Sequence, residues 1–169
     1  ELMQFSRTLS KTEDKHMQNV VNLMSQGSTI EEILSIPEIV TKLSIQRENR
    51  YKLREIVQNN TQIIDRLAIC YLQDSGYFSN GYLVTATFGD KVDACCIIHG
   101  YSDGDLNNQD RPPLSASFYA NSFITNGQGK YDLSRLATRF DPNGGGHINA
   151  CGCRIQPPGL ENNPATWLD

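Results

Sequence analysis

No stretch of the 169-residue sequence approaches the roughly 18 uninterrupted apolar residues of a membrane-spanning helix. A transmembrane segment is therefore not expected. There is no excess of positive charge either. Fifteen Lys and Arg face nineteen Asp and Glu, for a formal charge of −4, which argues against a broad surface that coats nucleic acid through a basic stripe. A small phosphate pocket stays compatible with that charge. The five cysteines are odd in number and Cys151 and Cys153 have no second pair at metal-ligand spacing, so neither a zinc site nor a disulfide framework is indicated. The expectation is free thiols in a reducing cytoplasm. No basic-then-apolar leader opens the sequence. It starts at Glu1 with Met3 inside, as an excised piece of a longer protein would.

What is present suffices for a folded domain. Hydrophobic residues make up 38% and charged residues 20%, enough apolar material to bury a core and too much for a disordered chain. Charge is unevenly spread: residues 1–66 balance nine basic against nine acidic side chains, while residues 67–169 carry six against ten. Arg47, Arg50, Lys52 and Arg54 read as the solvated face of a helix paired with Glu48 and Glu55.

Residues 1–66 read as helical. Ser10 with Glu13 makes a capping-box pattern ahead of Met17, Val20, Val21 and Met24, and Gly27 closes that helix. Thr29 with Glu32 repeats the pattern before Ile30, Ile33 and Leu34. Pro37 suits a first helical turn, from which Ile36, Ile39, Val40 and Leu43, then Leu53, Ile56, Val57, Ile63, Ile64 and Leu67, continue at helical spacing. Beyond Arg66 the pattern becomes strand-like. Residues 67–72, 92–98 and 114–120 are short apolar or alternating runs, separated by turn-rich segments at 102–113 and 126–129. Adjacent Cys95 and Cys96 are expected on opposite faces of a strand, as small buried hydrophobes. For residues 82–88 propensity favours a strand, although periodicity leaves the choice open. Asp132 is placed to cap a short helix carrying Leu133, Leu136, Ala137 and Phe140. The fold expected is α+β (α/β-like): a mixed sheet of about four to five strands with flanking helices, preceded by a helical arm. The divisions expected are an arm at 1–66, a domain at 67–156 and an extended tail at 157–169.

The most informative segment follows the last helix: Asp141-Pro142-Asn143-Gly144-Gly145-Gly146-His147-Ile148-Asn149-Ala150-Cys151-Gly152. Three consecutive glycines cost about 0.5–1 kcal/mol each relative to alanine in a regular element. They make sense where the backbone must approach another group closely. Without side chains, successive N–H groups can converge on an anion. A helix starting near His147 would add its dipole, and His147 and Asn149 would supply further donors.

Residues 144–152 resemble the Gly-Gly-Gly-His-x-x-Ala-Ala-Gly signature of the DHH-associated domain. That domain is the C-terminal, substrate-binding half of the DHH phosphoesterases, which include RecJ-type exonucleases, bacterial oligoribonucleases (nano-RNases), phosphoadenosine-phosphate phosphatases and cyclic-dinucleotide phosphodiesterases. The resemblance spans about residues 66–156 and includes the strand ending Ser117-Phe118-Tyr119 and the helix of residues 131–137. It implies a hydrolase that cuts phosphodiester or phosphomonoester bonds in short oligonucleotides or nucleotides. Gly144, Gly145, Gly146 and His147 would bind the substrate phosphate. Three departures stand out. Cys151 replaces an alanine, Asp141-Pro142-Asn143 intervenes before the glycines, and an arginine that several members carry on the preceding strand is absent. Tyr119 and Asn121 are the candidates to replace that arginine, by hydrogen bonding or, for Tyr119, by stacking on a base. Arg135 and Arg139, one turn apart on the helix, read as solvated charges within reach of the loop.

In such enzymes the reaction resembles two-metal hydrolysis at an Asp-His-His motif, with manganese as the typical ion. This sequence holds three histidines, His16, His99 and His147, and no Asp-His-His. His99 with Asp103 and Asp105 only superficially resembles a metal site. The resemblance thus implies no catalytic residue and no cofactor in this chain, with the metal held by a DHH domain upstream in the same protein. Two other readings stay open. One is a non-catalytic nucleic-acid-binding module, similar to the C-terminal domain of alanyl-tRNA synthetases. The other is an oligomerising domain in which the helical arm forms a homodimer.

Overall fold

The computed structural model describes residues 5–6, 14–107, 110, 112–124 and 131–155. The expected cap at Ser10 and Glu13, the turn at 126–129 and the tail at 157–169 lie outside the described residues. The chain divides into two compact units, Glu1–Lys52 and Leu53–Asp169.

The first unit contains helices α1 (Asp14–Ser25), α2 (Ile30–Ser35) and the start of α3 (Pro37–Asn59). The capping box forms as expected, with the Glu32 N–H donating to the Thr29 hydroxyl at 3.2 Å and the Thr29 N–H to the Glu32 carboxylate at 2.7 Å. Gly27 adopts φ +87°, the left-handed conformation that ends helices and that glycine reaches without a Cβ clash. Val20, Ile33, Ile39 and Leu43 form the small core. On α1 the buried seam runs through His16, Val20 and the half-buried Leu23. Of the apolar side read from the sequence, only Val20 is buried, and Met17, Val21 and Met24 are exposed. Among the described residues, α1 meets in this core a six-residue helix, a turn-spaced stripe of α3 and Phe5, which suits a narrow seam. The basic run from Arg47 to Arg54 is exposed, as expected of a solvated face.

The second unit is a six-stranded mixed sheet in the order β1-β2-β3-β4-β6-β5, one strand more than the upper expectation. The strands are β1 (Thr61–Ile64), β2 (Leu67–Tyr71), β3 (Ala94–His99), β4 (Ser115–Ala120), β5 (Gly145–His147) and β6 (Ala150–Arg154). Only β2 and β3 pair in parallel, connected through helix α4 (Gly81–Phe88); the other neighbours are antiparallel. Strand β1 replaces the helical continuation expected at Ile63 and Ile64. The helix stops at Asn59-Asn60, Asp65 takes φ +51°, and the chain folds back as a hairpin with β2. Helix α4 replaces the strand favoured at 82–88. The Asn80 side chain accepts the Leu83 N–H at 3.0 Å, and the Thr85 and Thr87 hydroxyls donate to the carbonyls of Gly81 and Leu83, each at 2.7 Å. These back-bonds satisfy the hydroxyls within the helix and let tertiary burial override β-branched propensity.

Cys95 and Cys96 do face opposite sides. Cys95 lies with Ala68, Cys70, Ile97, Leu83, Val84 and Val57 under α4 and the end of α3. Cys96 lies with Ile69, Phe118, Cys151, Cys153, Leu133 and Ala137 under helix α5 (Ser134–Phe140). All five cysteines are buried free thiols. Each fully buried Ile, Leu or Val in these layers contributes about 1.5–3 kcal/mol. Ahead of α5, the Asp132 carboxylate accepts the Ser134 N–H at 3.0 Å, but the helix starts one residue later than expected, with Leu133 at its N-cap and no side-chain cap bond.

Candidate functional site

The glycine segment is an edge strand, and no helix begins at His147. Gly145, Gly146 and His147 pair with Gly152, Cys151 and Ala150, and residues 148–149 turn the hairpin. The helix-dipole contribution expected near His147 is therefore absent. In its place, β5 ends the sheet, and an edge strand presents alternate backbone N–H groups outward.

The extended course is held by a contact from the Asp141-Pro142-Asn143 segment to the neighbouring strand. Asp141 is buried at 1% exposure, and its carboxylate forks onto Arg154 of β6, with Oδ2 to Nε at 2.8 Å and Oδ1 to Nη2 at 2.7 Å. It also accepts the backbone N–H groups of Arg154 at 3.0 Å and Asn143 at 2.9 Å. These bonds, the Arg154 guanidinium foremost, hold the Asp141 carboxyl well below the usual carboxylate range. The departure from the family pattern thus anchors the chain entering the glycines to the strand beside them.

The three glycines differ in what they need. A Cβ on Gly144 would lie 2.8 Å from the Ala137 carbonyl oxygen. A Cβ on Gly146, at φ +151°, would lie 2.3 Å from the Ala150 carbonyl oxygen and 2.5 Å from the Cys151 Cα. Both positions exclude a side chain on packing grounds. A Cβ on Gly145 would meet nothing within 4 Å. Its missing side chain leaves open space above the sheet.

The register shows what shares that face. One row of directly paired residues runs Ala68, Cys95, Tyr119, Ala150, His147, and the next runs Cys70, Ile97, Ser117, Gly152, Gly145. Paired residues project to the same side. Helix α4 packs over β2, β3 and β4, whereas α5 packs beneath β5 and β6 on the other face. Beyond Tyr119 and Ser117 the upper face is a floor of small residues that ends at Gly145 and the exposed His147. A shallow groove of about 330 Å³ opens over part of it, with Ser115, Ser117, Gly152, Asn143 and the ion-paired Asp141 and Arg154 among its lining residues, next to Gly145 in the register.

Tyr119 and Asn121 have different fates. The Tyr119 ring is half-buried and lies over Gly81, where a Cβ would come within 2.1 Å of the ring. It belongs to the row that ends in His147. Asn121 is fully buried. Its amide donates to the carbonyls of Gly89 and Val92, each at 2.8 Å, and its oxygen accepts the Phe123 N–H at 3.1 Å. That side chain pins the segment after β4 and is not brought to the groove. Asn149 is half-buried in the hairpin turn; its carbonyl accepts the Ala120 N–H at 2.9 Å, tying the turn to β4. Arg135 and Arg139 are exposed on α5.

Sequence reasoning missed Ser117, Gly152 and the role of His99. The His99 Nε2 lies 3.0 Å from the Ser117 Oγ, and burial lowers its pKa, so the imidazole is neutral at pH 7. Asp103 and Asp105 instead cap turns, accepting the N–H groups of Asp105 and Asn107 at 3.1 and 2.9 Å. Among the described residues no three His, Cys, Asp or Glu side chains converge to hold a metal ion. Among the described residues no helix is long and apolar enough to cross a membrane.

No family model matches the sequence, and no curated protein matches it. The solved structures give a clearer likeness. The chain superposes on PggH, a pGpG-specific phosphodiesterase from Vibrio cholerae, with a TM-score of 0.67 at 16% identity, over 89% of this chain and 49% of that one. An exopolyphosphatase-related protein from Bacteroides fragilis aligns at a TM-score of 0.49 and 18% identity, over 93% of this chain and 41% of that one. The chain spans about half the length of the PggH chain. In architecture, this chain is therefore built as one half of that phosphodiesterase is built.

Proposed function

We propose that the chain is the substrate-binding half of a DHH-family phosphoesterase, in which Gly145, the β5 edge and His147 receive the phosphate of a short oligonucleotide or nucleotide. The observation that carries this reading is the open space above Gly145. Two glycines of the signature are required by packing, and the third leaves a vacancy beside an exposed histidine. The shared fold with half of a phosphodiesterase chain supports it. Gly144 and Gly146 shape the loop, and Tyr119 flanks the phosphate position. Asn149 fixes the turn that presents His147, and Asn121 holds the end of β4. Divalent metal, manganese by family resemblance, belongs to a DHH domain upstream in the same protein, and that domain activates the attacking water. Residues 67–156 act as the binding domain, and residues 1–66 as the connector or a homodimer contact. The compartment is the cytoplasm.

The test is hydrolysis of a 5′-phosphorylated diadenylate with manganese. The 169-residue chain alone should release no product, and the protein carrying the upstream domain should. In that longer protein His147→Ala should abolish most turnover. Turnover equal to wild type would remove His147 from the site. Tight binding of structured RNA that weakens steeply with salt would favour the tRNA-type module instead.

A further inference from the structure

Phe78 lies just before the cap of α4, is 51% exposed, and is no part of either core layer. The His99 imidazole stacks on its ring with centroids 6.4 Å apart and planes 23° from parallel. His99 is in turn fixed to Ser117, and Ser117 begins the row Ser117, Gly152, Gly145. Phe78 is thus tied through His99 to Ser117, the start of the row that ends at the open space over Gly145. The two ends are about 10 Å or more apart, since two strand spacings separate Ser117 from Gly145. No side chain larger than serine interrupts that row.

Resting on the phosphate reading above, we infer that Phe78, backed by His99, is a stacking platform for a nucleobase of the molecule whose phosphate lies at Gly145 and His147. Three features favour a base over other occupants. An offset two-ring stack with one face exposed is the arrangement to which a further aromatic plane adds favourably. The imidazole beneath it is neutral, so it offers no charge to a second phosphate. The row from Ser117 to Gly145 carries no charge, and the neighbouring Arg154 is already ion-paired with Asp141, which suits a sugar and a base edge better than a polyphosphate chain. The platform therefore selects nucleotides against inorganic polyphosphate and does so through the π-face, without requiring one particular base.

The experiment is calorimetric titration of the 169-residue chain with 5′-phosphorylated diadenylate and with the same dinucleotide lacking both bases. Wild type should bind the diadenylate about tenfold to a hundredfold more tightly, as stacking contributes. Phe78→Ala should reduce that preference to about twofold, and Phe78→Trp should restore it. The abasic ligand should bind all three proteins equally, which also shows that each is folded. Equal affinity for the two ligands in wild type, or an undiminished preference in Phe78→Ala, would overturn the platform and leave the phosphate site standing. Failure of both ligands to bind wild type would overturn the phosphate reading and this inference with it.

Discussion

Replacing each glycine of the triplet by alanine separates packing from ligand binding. In Gly146→Ala the new Cβ lies 2.3 Å from the Ala150 oxygen and 2.5 Å from the Cys151 Cα. Both are backbone atoms of the paired strand. Relief requires β5 to leave the sheet at Gly146, where φ is +151°. Strain of about 1–3 kcal/mol and a lost ladder bond of about 1 kcal/mol give a destabilisation of about 3 kcal/mol. For a chain of this length that lowers Tm by about 6–12 °C. Gly145→Ala meets nothing within 4 Å and restricts the unfolded chain, so stability should change by less than about 1 kcal/mol. Its methyl group nevertheless occupies the vacancy proposed for phosphate, and affinity for 5′-phosphorylated diadenylate should fall about tenfold. Differential scanning fluorimetry and calorimetric titration read the two effects separately. Wild-type affinity in Gly145→Ala would refute the reasoning, because the space would then serve no ligand. Equal Tm in Gly145→Ala and Gly146→Ala would refute the geometry itself.

Other outcomes follow from the same structure. His147→Ala should leave stability within about 0.5 kcal/mol, as expected of an exposed side chain, so urea titration should superimpose on wild type while activity of the longer protein is lost. The Asp141 carboxyl is held below its ordinary value of about 3.9, so its stabilisation is complete above about pH 4 and is lost as pH falls toward the native value. Asp141→Asn should flatten that acid limb in a Tm-against-pH series and increase amide exchange at residues 143–146. All five thiols are buried, and burial raises those of Cys70, Cys95, Cys96 and Cys151. Ellman's reagent should therefore react slowly with the native chain and quickly in denaturant, and a fast native burst would contradict the core described for the sheet. Ile97→Ala, between two strands at full burial, should destabilise by about 2–5 kcal/mol.

The parts legible in the sequence are those whose determinants are local. Strands β2, β3 and β4 are apolar or alternating runs bounded by turn residues, and the opposite faces of Cys95 and Cys96 follow from a period of two. The capping box of α2 is written in Thr29 and Glu32. Helix α4 was hidden because its threonines favour a strand until their hydroxyls bond back to Gly81 and Leu83. Strand β1 was hidden because Ile63 and Ile64 continue a helical spacing, and the turn at Asp65 that breaks it depends on pairing with β2. The glycines carry no periodicity at all. Their strand conformation is held by Asp141 reaching Arg154, thirteen residues on. The same holds for the groove. His147 and its glycines could be read as a motif, whereas Ser117, Gly152 and Gly145 become neighbours only through the register of three strands.

In the proposed reading a nucleotide phosphate sits at Gly145 and His147, at the end of the row that starts at Ser117. Amide chemical-shift mapping of the isotopically labelled 169-residue chain, titrated with 5′-phosphorylated diadenylate, tests it most directly. Saturable shifts are expected at Ser117, Gly145, Gly146, His147 and Gly152, with a midpoint at about tenfold higher ligand concentration in Gly145→Ala. Saturable binding that leaves those amides unmoved, or no binding at all, would contradict it.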